Sequence, residues 1–228
     1  MPELLPLFPL GTVLFPGMVL PLRIFEPRYR TLVQRLVDQP EGSAREFGVV
    51  AIRQGWEVGT DAAHALYDYG CTASMRRVES YEDGGYDLVT VGNQRFRLGD
   101  VDNASEPYLV GSVDRLSEEF GDAASATVLA GSVRRLYTDY LTALAGKQQP
   151  EMELSVPDLP DEPMGLSHLV AATAPLELGD RHDLLAASTA EDRLRAELRL
   201  LKRELTMLRR LHVVPIPLVD LAVPRSRN

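Results

Sequence analysis

The sequence predicts an α+β fold: a β-rich pseudo-barrel of about six strands with one helix, followed by a helical bundle. Up to residue 116, short apolar runs alternate with Gly, Pro and Asp clusters, a pattern typical of strands joined by turns. Beyond Ser117 the apolar residues recur at helical spacing instead. We therefore expect two subdomains of one domain, residues 1–116 and 117–228.

Two strands are expected before the helix of the first half. Residues 4–10 are apolar and are followed by Gly11, which predicts a strand and a turn. In the next extended segment, 18–24, Pro21 has no backbone N–H to donate, so we expect it at a sheet edge, a bulge or a strand end. Over 29–37 the apolar residues recur at intervals that predict an amphipathic helix.

Four more strands are expected after this helix, from short extended or apolar runs between turn residues. They cover residues 47–52, 67–73, 87–91 and 108–113. The second and third are joined by a hairpin turn at 81–86, because Asp, Gly and Gly at its centre tolerate left-handed backbone. The loops are too short for many parallel crossovers.

The second half predicts four helices from its apolar spacing. They cover residues 128–144, ended by Gly146, then 164–173, 178–187 and a last helix that begins after residue 188. Ser188 and Glu191 have the spacing of a capping box at the start of that helix. Its leucines repeat over only about two heptads, which favours a packed bundle helix over a coiled-coil dimer.

Composition and charge exclude several classes of function. Of the 228 residues, 45% are apolar and 25% are charged, as in ordinary globular proteins. The net charge of −9 does not supply the basic surface that nucleic-acid binding requires. Prolines break the apolar stretch 4–25, so no export signal is expected, and no later run is long enough to span a membrane. We expect a cytoplasmic protein that binds neither nucleic acid nor membrane.

The sequence contains no pattern for a metal, a cofactor or a nucleotide. Its one cysteine, Cys71, excludes an intrachain disulfide and a Cys-rich zinc site, and the four histidines lack metal-binding spacing. No Gly-rich phosphate loop is present. One catalytic alternative stays open, in which Cys71 is the nucleophile and His64 the base of a small hydrolase. In the other interpretation, Cys71 is a small buried core thiol.

Several strings of residues resemble the Lon N-terminal (substrate-binding) domain family. Within residues 4–36 they are Phe15-Pro16-Gly17 and Ile24-Phe25-Glu26-Pro27-Arg28-Tyr29. Others follow in the order of that family: Phe47-Gly48-Val49-Val50, Gly59-Thr60, Gly70-Cys71-Thr72-Ala73, Gly92-Asn93-Gln94-Arg95-Phe96, Pro107-Tyr108 and His182-Asp183-Leu184-Leu185. The resemblance covers nearly the whole chain and is strongest before residue 116.

The resemblance implies a small β-barrel followed by a helical bundle, in agreement with the change of period near Ser117. In the full-length protease this domain captures substrates and supports hexamer assembly, while separate downstream domains hydrolyse ATP and peptide bonds. Those domains are missing from this sequence. The resemblance therefore implies a stand-alone, non-enzymatic module that works without a cofactor and binds unfolded proteins or their exposed apolar segments.

Phe25, Glu26, Arg28 and Tyr29 are the first candidates for contact with such partners. They place two aromatic rings beside an acid and a base at a strand-to-helix joint, which is the anatomy of a peptide-binding patch. An internal ion pair between Glu26 and Arg28, with both rings in the core, explains the same residues equally well.

A second candidate surface is the last helix, where basic residues outnumber acidic ones. Arg199, Arg203 and Arg210 would there hold an acidic partner, and the protein would be an adaptor or assembly protein.

Overall fold

The computed structural model describes residues 3–40, 42–54, 65–148, 158–211 and 226–227. They belong to two units, Met1–Ser117 together with Val223–Asn228, and Glu118–Ala222. The first unit contains the sheet and one helix, and the second contains four helices, so the predicted α+β class is confirmed. The predicted division into subdomains after residue 116 stays a prediction.

The first unit is built on a sheet that closes on itself. Its elements are β1 (Glu3–Leu10), β2 (Val19–Ile24), α1 (Pro27–Val37), β3 (Glu46–Gln54), β4 (Ala65–Ser80), β5 (Tyr86–Asp102), β6 (Val110–Arg115) and β7 (Ser226–Arg227). The strand order is β4-β3-β1-β6-β5-β2-β7, and β4 also pairs with β5. This extra pairing closes β1, β3, β4, β5 and β6 into a barrel. β1 is parallel to β3, whereas the other pairs within the barrel are antiparallel.

β2 lies outside the closed barrel and pairs antiparallel with the first part of β5, from Val19 opposite Val91 to Ile24 opposite Tyr86. The edge position expected for Pro21 agrees with the described residues, since β7 pairs with Leu22 and Arg23 and no described strand pairs with Pro21 on the side away from β5. Side chains alternate along β2: Leu20 points into the core, and Val19 points outwards.

α1 covers one face of the sheet through its buried side. Tyr29, Leu32 and Leu36 recur at helical spacing and are almost fully buried. The ring of Tyr29 stacks on Phe8 of β1 with 4.0 Å between the ring centroids. The helix is thus fixed to the barrel core at its first turn.

The predicted hairpin joins β4 to β5. Tyr81 donates its backbone N–H to the carbonyl of Gly85, and Gly84 adopts a left-handed backbone with φ of +79°. Further along β5, Gly92 faces the segment before β2: a Cβ atom there would lie 2.1 Å from the carbonyl oxygen of Phe15. Glycine is required at this position because two backbones approach each other closely.

The second unit is helical. It contains α2 (Ala123–Gln148), α3 (Pro163–Thr173), α4 (Leu178–Ala186) and α5 (Ala190–Leu211). α2 and α5 share one core, to which Val133, Tyr140, Leu194 and Leu201 contribute. Val128, the first residue of the predicted α2 stripe, is instead 72% exposed. Burial of these faces holds the helices together.

Two predictions about helix ends are wrong. α2 continues past Gly146 to Gln148, since a single glycine lowers helix stability by only about 1 kcal/mol. α5 is capped by Thr189 rather than by Ser188, because the Thr189 hydroxyl accepts the N–H of Asp192 at 3.0 Å. The hydroxyl also donates to the Asp192 carboxylate at 2.8 Å.

Candidate peptide-binding surface

The joint between β2 and α1 exposes an aromatic ring. Ile24 ends β2 inside the core, Glu26 keeps an extended backbone, and Pro27 begins the helix. Proline suits this position because its fixed φ is helical and its missing N–H would have had no partner within the helix. Phe25 lies between these constraints and stays 41% exposed.

The other three candidate residues at the joint are held in place around Phe25. Arg28 Nε donates to Glu26 Oε2 at 2.8 Å, and the Arg28 guanidinium lies 4.6 Å from the centre of the Tyr29 ring. Tyr29 itself is only 2% exposed. The ion pair and the buried ring therefore form a support, whereas Phe25 is the member of the set that a partner can reach.

The outer face of β2 continues this surface along the sheet. Val19 is 53% exposed, and a hollow of about 210 Å³ lies beside it. The hollow is lined by Pro21, Leu22, Arg23, Arg77, Glu79, Asp87, Leu88 and Val89. Its walls contain two cations and two anions, and Arg77 forms an ion pair with Glu79. The charges that line the hollow therefore cancel, and its remaining lining residues are apolar.

Tyr81 borders the same face, in the turn after β4. The Arg23 guanidinium lies 5.5 Å from the centre of its ring, and its hydroxyl donates to Asp87 Oδ2 at 2.5 Å. This hydrogen bond to a carboxylate raises the pKa of Tyr81. The ring is 41% exposed, so a second aromatic residue is available on the β2 side of the sheet.

A larger and more open hollow, of about 770 Å³, lies along the exposed side of α1. Its basic side chains already have partners. Arg30 donates to the carbonyl of Asp83 at 2.8 Å, and Arg35 donates to Glu106 at 2.5 Å and to the Tyr108 hydroxyl at 2.8 Å. Both arginines that line this hollow are thus engaged by groups of the protein itself.

The basic candidates on α5 all lie at exposed positions. Arg203 pairs with Asp180 of α4 at 2.5 Å and with Glu204 at 2.7 Å. Arg199 and Arg210 form no ion pair with any residue that the structure describes. Both guanidinium groups lie at exposed positions, so an external carboxylate can reach them.

The hypothetical cysteine hydrolase site is only half described. Cys71 lies on β4, has no exposed surface and belongs to the barrel core, as its interpretation as a core thiol requires. His64 lies outside the described residues. No group of three or more His, Cys, Asp or Glu in the described ranges could hold a metal ion. None of the helices described is both long and apolar enough to cross a membrane.

A buried polar cluster in the second unit was not predicted. Arg193 of α5 has no exposed surface. Its Nη1 donates to Ser167 Oγ at 2.9 Å, its Nε donates to the carbonyl of Leu184 at 3.0 Å, and its Nη2 lies 3.6 Å from Glu118 Oε2. Hydrogen bonds compensate for the burial of this charge.

Glu197 is buried one turn further along α5. It has no exposed surface, and neither carboxylate oxygen has a hydrogen-bond partner among the residues described. Burial raises the pKa of Glu197 well above its usual value, and the charge of Arg193 only partly opposes this. The sequence contains a pattern that indicates this burial. Intervals of four residues place Arg193 and Glu197 on the same helix face as the apolar Leu201.

These features define an α+β domain whose candidate site is a set of exposed apolar and aromatic groups rather than a chemical cluster. The chain belongs to the family of the ATP-dependent protease La (LON) substrate-binding domain, whose model matches residues 4–203.

The relatives of this chain are longer proteins. Lon protease of Brevibacillus choshinensis is 28% identical over 206 residues, which are 90% of this chain and 25% of that protein. Lon protease 2 of Herpetosiphon aurantiacus is 29% identical over 207 residues, or 90% of this chain and 24% of that protein. The chain thus spans about a quarter of the length of these curated relatives.

Solved structures support the same assignment. The Lon N-terminal domain protein from Xanthomonas campestris is 26% identical, with a TM-score of 0.60 over 88% of this chain and 98% of that one. The N-terminal domain of a Lon protease from the Mycobacterium avium complex has a TM-score of 0.58 at 17% identity, over the same shares of the two chains. This second likeness supports the fold alone.

Proposed function

We propose that the protein is a non-enzymatic binding module that recognises unfolded proteins, or exposed apolar segments of them, for proteolysis. The observation that carries this proposal is the match of residues 4–203 to a substrate-binding domain family. The matched relatives are Lon proteases, and the shared part is about a quarter of each. Polypeptides rather than nucleic acids fit the net charge of −9.

Phe25 is the proposed contact residue of this site. An exposed aromatic ring with polar groups around it has the arrangement of binding hot spots in protein interfaces. Glu26 and Arg28 form the rim through their ion pair, and Tyr29 anchors the helix that carries them. Apolar client segments would gain affinity by covering the 41% of Phe25 that is exposed.

Fluorescence anisotropy with one labelled client protein tests the proposal. The client is used once in native form and once reduced and alkylated, at two salt concentrations. We expect the full chain to bind only the unfolded form, with little dependence on salt, because apolar contacts are not screened. Equal affinity for both forms, or no binding of either, would contradict the proposal.

Phe25→Ala and Val128→Ala are the matched variants for the site. Both residues are exposed and apolar, with exposed fractions of 41% and 72%, but Val128 lies on α2 of the second unit. We expect Phe25→Ala to weaken binding of the unfolded client about tenfold, as loss of a moderate hot spot does, and Val128→Ala to leave it unchanged. Equal effects of the two substitutions would remove Phe25 from the site.

A second candidate function is that of an adaptor for an acidic partner, supported by the exposed positions of Arg199 and Arg210 on α5. Glu substitutions at these positions and at Arg203 should abolish recovery of a specific co-purifying partner while the circular dichroism spectrum stays unchanged. A control with Glu at Arg53 and Arg97, exposed on β3 and β5, keeps that partner. Undiminished recovery with the α5 variant would exclude the adaptor role.

A further inference from the structure

Among the residues that the structure describes, the outer edge of β2 is paired only at Leu22 and Arg23. On its inner side β2 pairs with β5 at every residue from Val19 to Ile24. On its outer side the structure shows only β7, whose Ser226 and Arg227 lie parallel to Leu22 and Arg23. In the described part of the chain, no strand lies beside Val19, Leu20 or Pro21 on that side. Open strand edges are templates for pairing with further chains.

The opposite edge of this part of the sheet, formed by the end of β4, is less suited to pairing with a further strand. The last part of β4, from Arg77 to Ser80, pairs with β5 but not with β3. Charged side chains occur there, including Arg77 and Glu79, and such residues discourage the addition of a strand. β2 instead presents Val19, Leu20, Pro21 and Leu22 in succession, so the apolar edge lies on the β2 side.

The same face of the sheet carries a hollow of about 210 Å³. It is lined by residues of β2, β5 and β4, among them Pro21 and Val89, and its charged walls are balanced. Where an extended peptide adds to a sheet, backbone hydrogen bonds supply affinity and alternate side chains enter pockets on the face of the sheet. An uncharged apolar side chain fits this hollow better than a charged one.

We propose that the outer edge of β2 binds one extended, apolar segment of an unfolded client by strand addition, parallel to β2, in the position that Ser226–Arg227 hold in the structure. The inference rests on the proposed function and adds the site and the binding mode to it. The chain's own residues show that the edge accepts a parallel strand, and the same residues then compete with the client.

The test uses the full chain and two synthetic peptides. The first peptide has the sequence of residues 219–228 of this protein, and the second is identical but N-methylated at alternate residues, so that it cannot donate backbone hydrogen bonds on one edge. We expect the first peptide to displace a labelled, reduced and alkylated client and the second to be at least tenfold weaker. Equal competition by both would overturn the strand-addition mode.

Variants of β2 locate the binding mode on the protein. Val19→Lys places a charge at a position that is 53% exposed and should weaken client binding about tenfold, whereas Val128→Lys, 72% exposed on α2, should not. Ser226→Pro removes a backbone N–H from the competing strand and should strengthen client binding severalfold. Unchanged affinity in both Val19→Lys and Ser226→Pro would refute the site.

Hydrogen exchange of the unsubstituted chain keeps the result interpretable if Val19→Lys fails to fold. Client binding should slow the exchange of amides in Val19–Ile24, and protection elsewhere with none in β2 would count against the proposal.

The two proposals fail differently. If the full chain does not bind the unfolded client at all, the proposed function is wrong; if it binds without protecting β2, only the strand-addition site is wrong.

Discussion

Substitution of the buried Glu197 by Gln should change how the stability of the helical unit depends on pH. The carboxyl group has no exposed surface, and its burial raises its pKa well above the usual value. In the folded protein it therefore keeps its proton at a pH where the unfolded chain has lost it. Gln has nearly the same shape as the protonated acid and does not titrate. The variant therefore separates the effect of proton binding on stability from the effect of side-chain packing.

The sign and size of the effect follow from proton linkage. Where the folded state holds one proton more than the unfolded state, the free energy of unfolding falls by about 1.4 kcal/mol for each pH unit. This begins above the unfolded pKa, 4.5, and ends when the folded carboxyl group ionises. Between pH 5 and pH 7 the unsubstituted chain should therefore lose stability relative to Glu197→Gln, by at most about 1.4 kcal/mol for each pH unit.

Urea unfolding, followed by circular dichroism at 222 nm at pH 5, 6 and 7, measures this difference. Glu191→Gln is the matched control on the same helix. The N–H of Asp122, the hydroxyl of Ser125 and the charge of Arg195 lower the pKa of Glu191, so the folded state holds no extra proton at this carboxylate. Its curve should run parallel to that of the unsubstituted chain. A Glu197→Gln curve that is also parallel would refute the reasoning.

The caps and glycines give two further predictions. Thr189→Ala should lower the free energy of unfolding by about 1 kcal/mol in urea titrations, whereas Ser188→Ala should change it little, because the Thr189 hydroxyl holds the first turn of α5. Gly92→Ala should lower it by about 3 kcal/mol, since its Cβ would lie 2.1 Å from the Phe15 carbonyl oxygen. Gly131→Ala, at an exposed position of α2 with no atom within 4 Å, should raise it by about 1 kcal/mol.

Local patterns predicted the element types because each element has a strong periodic or turn signal of its own. α1 begins at Pro27, two residues before the predicted start, and the hairpin at 81–86 is in place. The lengths of β4 and β5 were missed, since these strands run for 16 and 17 residues through the barrel and beyond it. Their outer parts are strands through pairing with each other and with β2, which is a tertiary effect.

The start of α5 shows the limit of local rules most clearly. Ser188 with Glu191 and Thr189 with Asp192 have equivalent spacings, one residue apart, so the sequence pattern permits either as the cap. Contacts distant in sequence decide between them. Glu191 accepts the N–H of Asp122 at 3.0 Å and the hydroxyl of Ser125 at 2.8 Å, which draws its carboxylate away from its own helix end.

The candidate surface was predicted only in part, because the sequence names residues at a joint but not their exposure. Phe25 and Tyr29 are both aromatic and four residues apart, yet one is 41% exposed and the other 2%. The difference arises because Phe8 offers Tyr29 a ring at 4.0 Å, a contact between residues far apart in the chain.

Pro21 connects the sequence rule to the proposed function. A residue without an N–H is tolerated on a side of a strand that has no partner. The barrel closes without β2, and among the described residues no strand pairs with Pro21 on its outer side. The proline also interrupts the row of donors on the strand, so a second copy of this protein could not extend the sheet by unbroken pairing. An edge that discourages continuous pairing and yet retains apolar neighbours suits the short, reversible engagement of an extended segment that we propose.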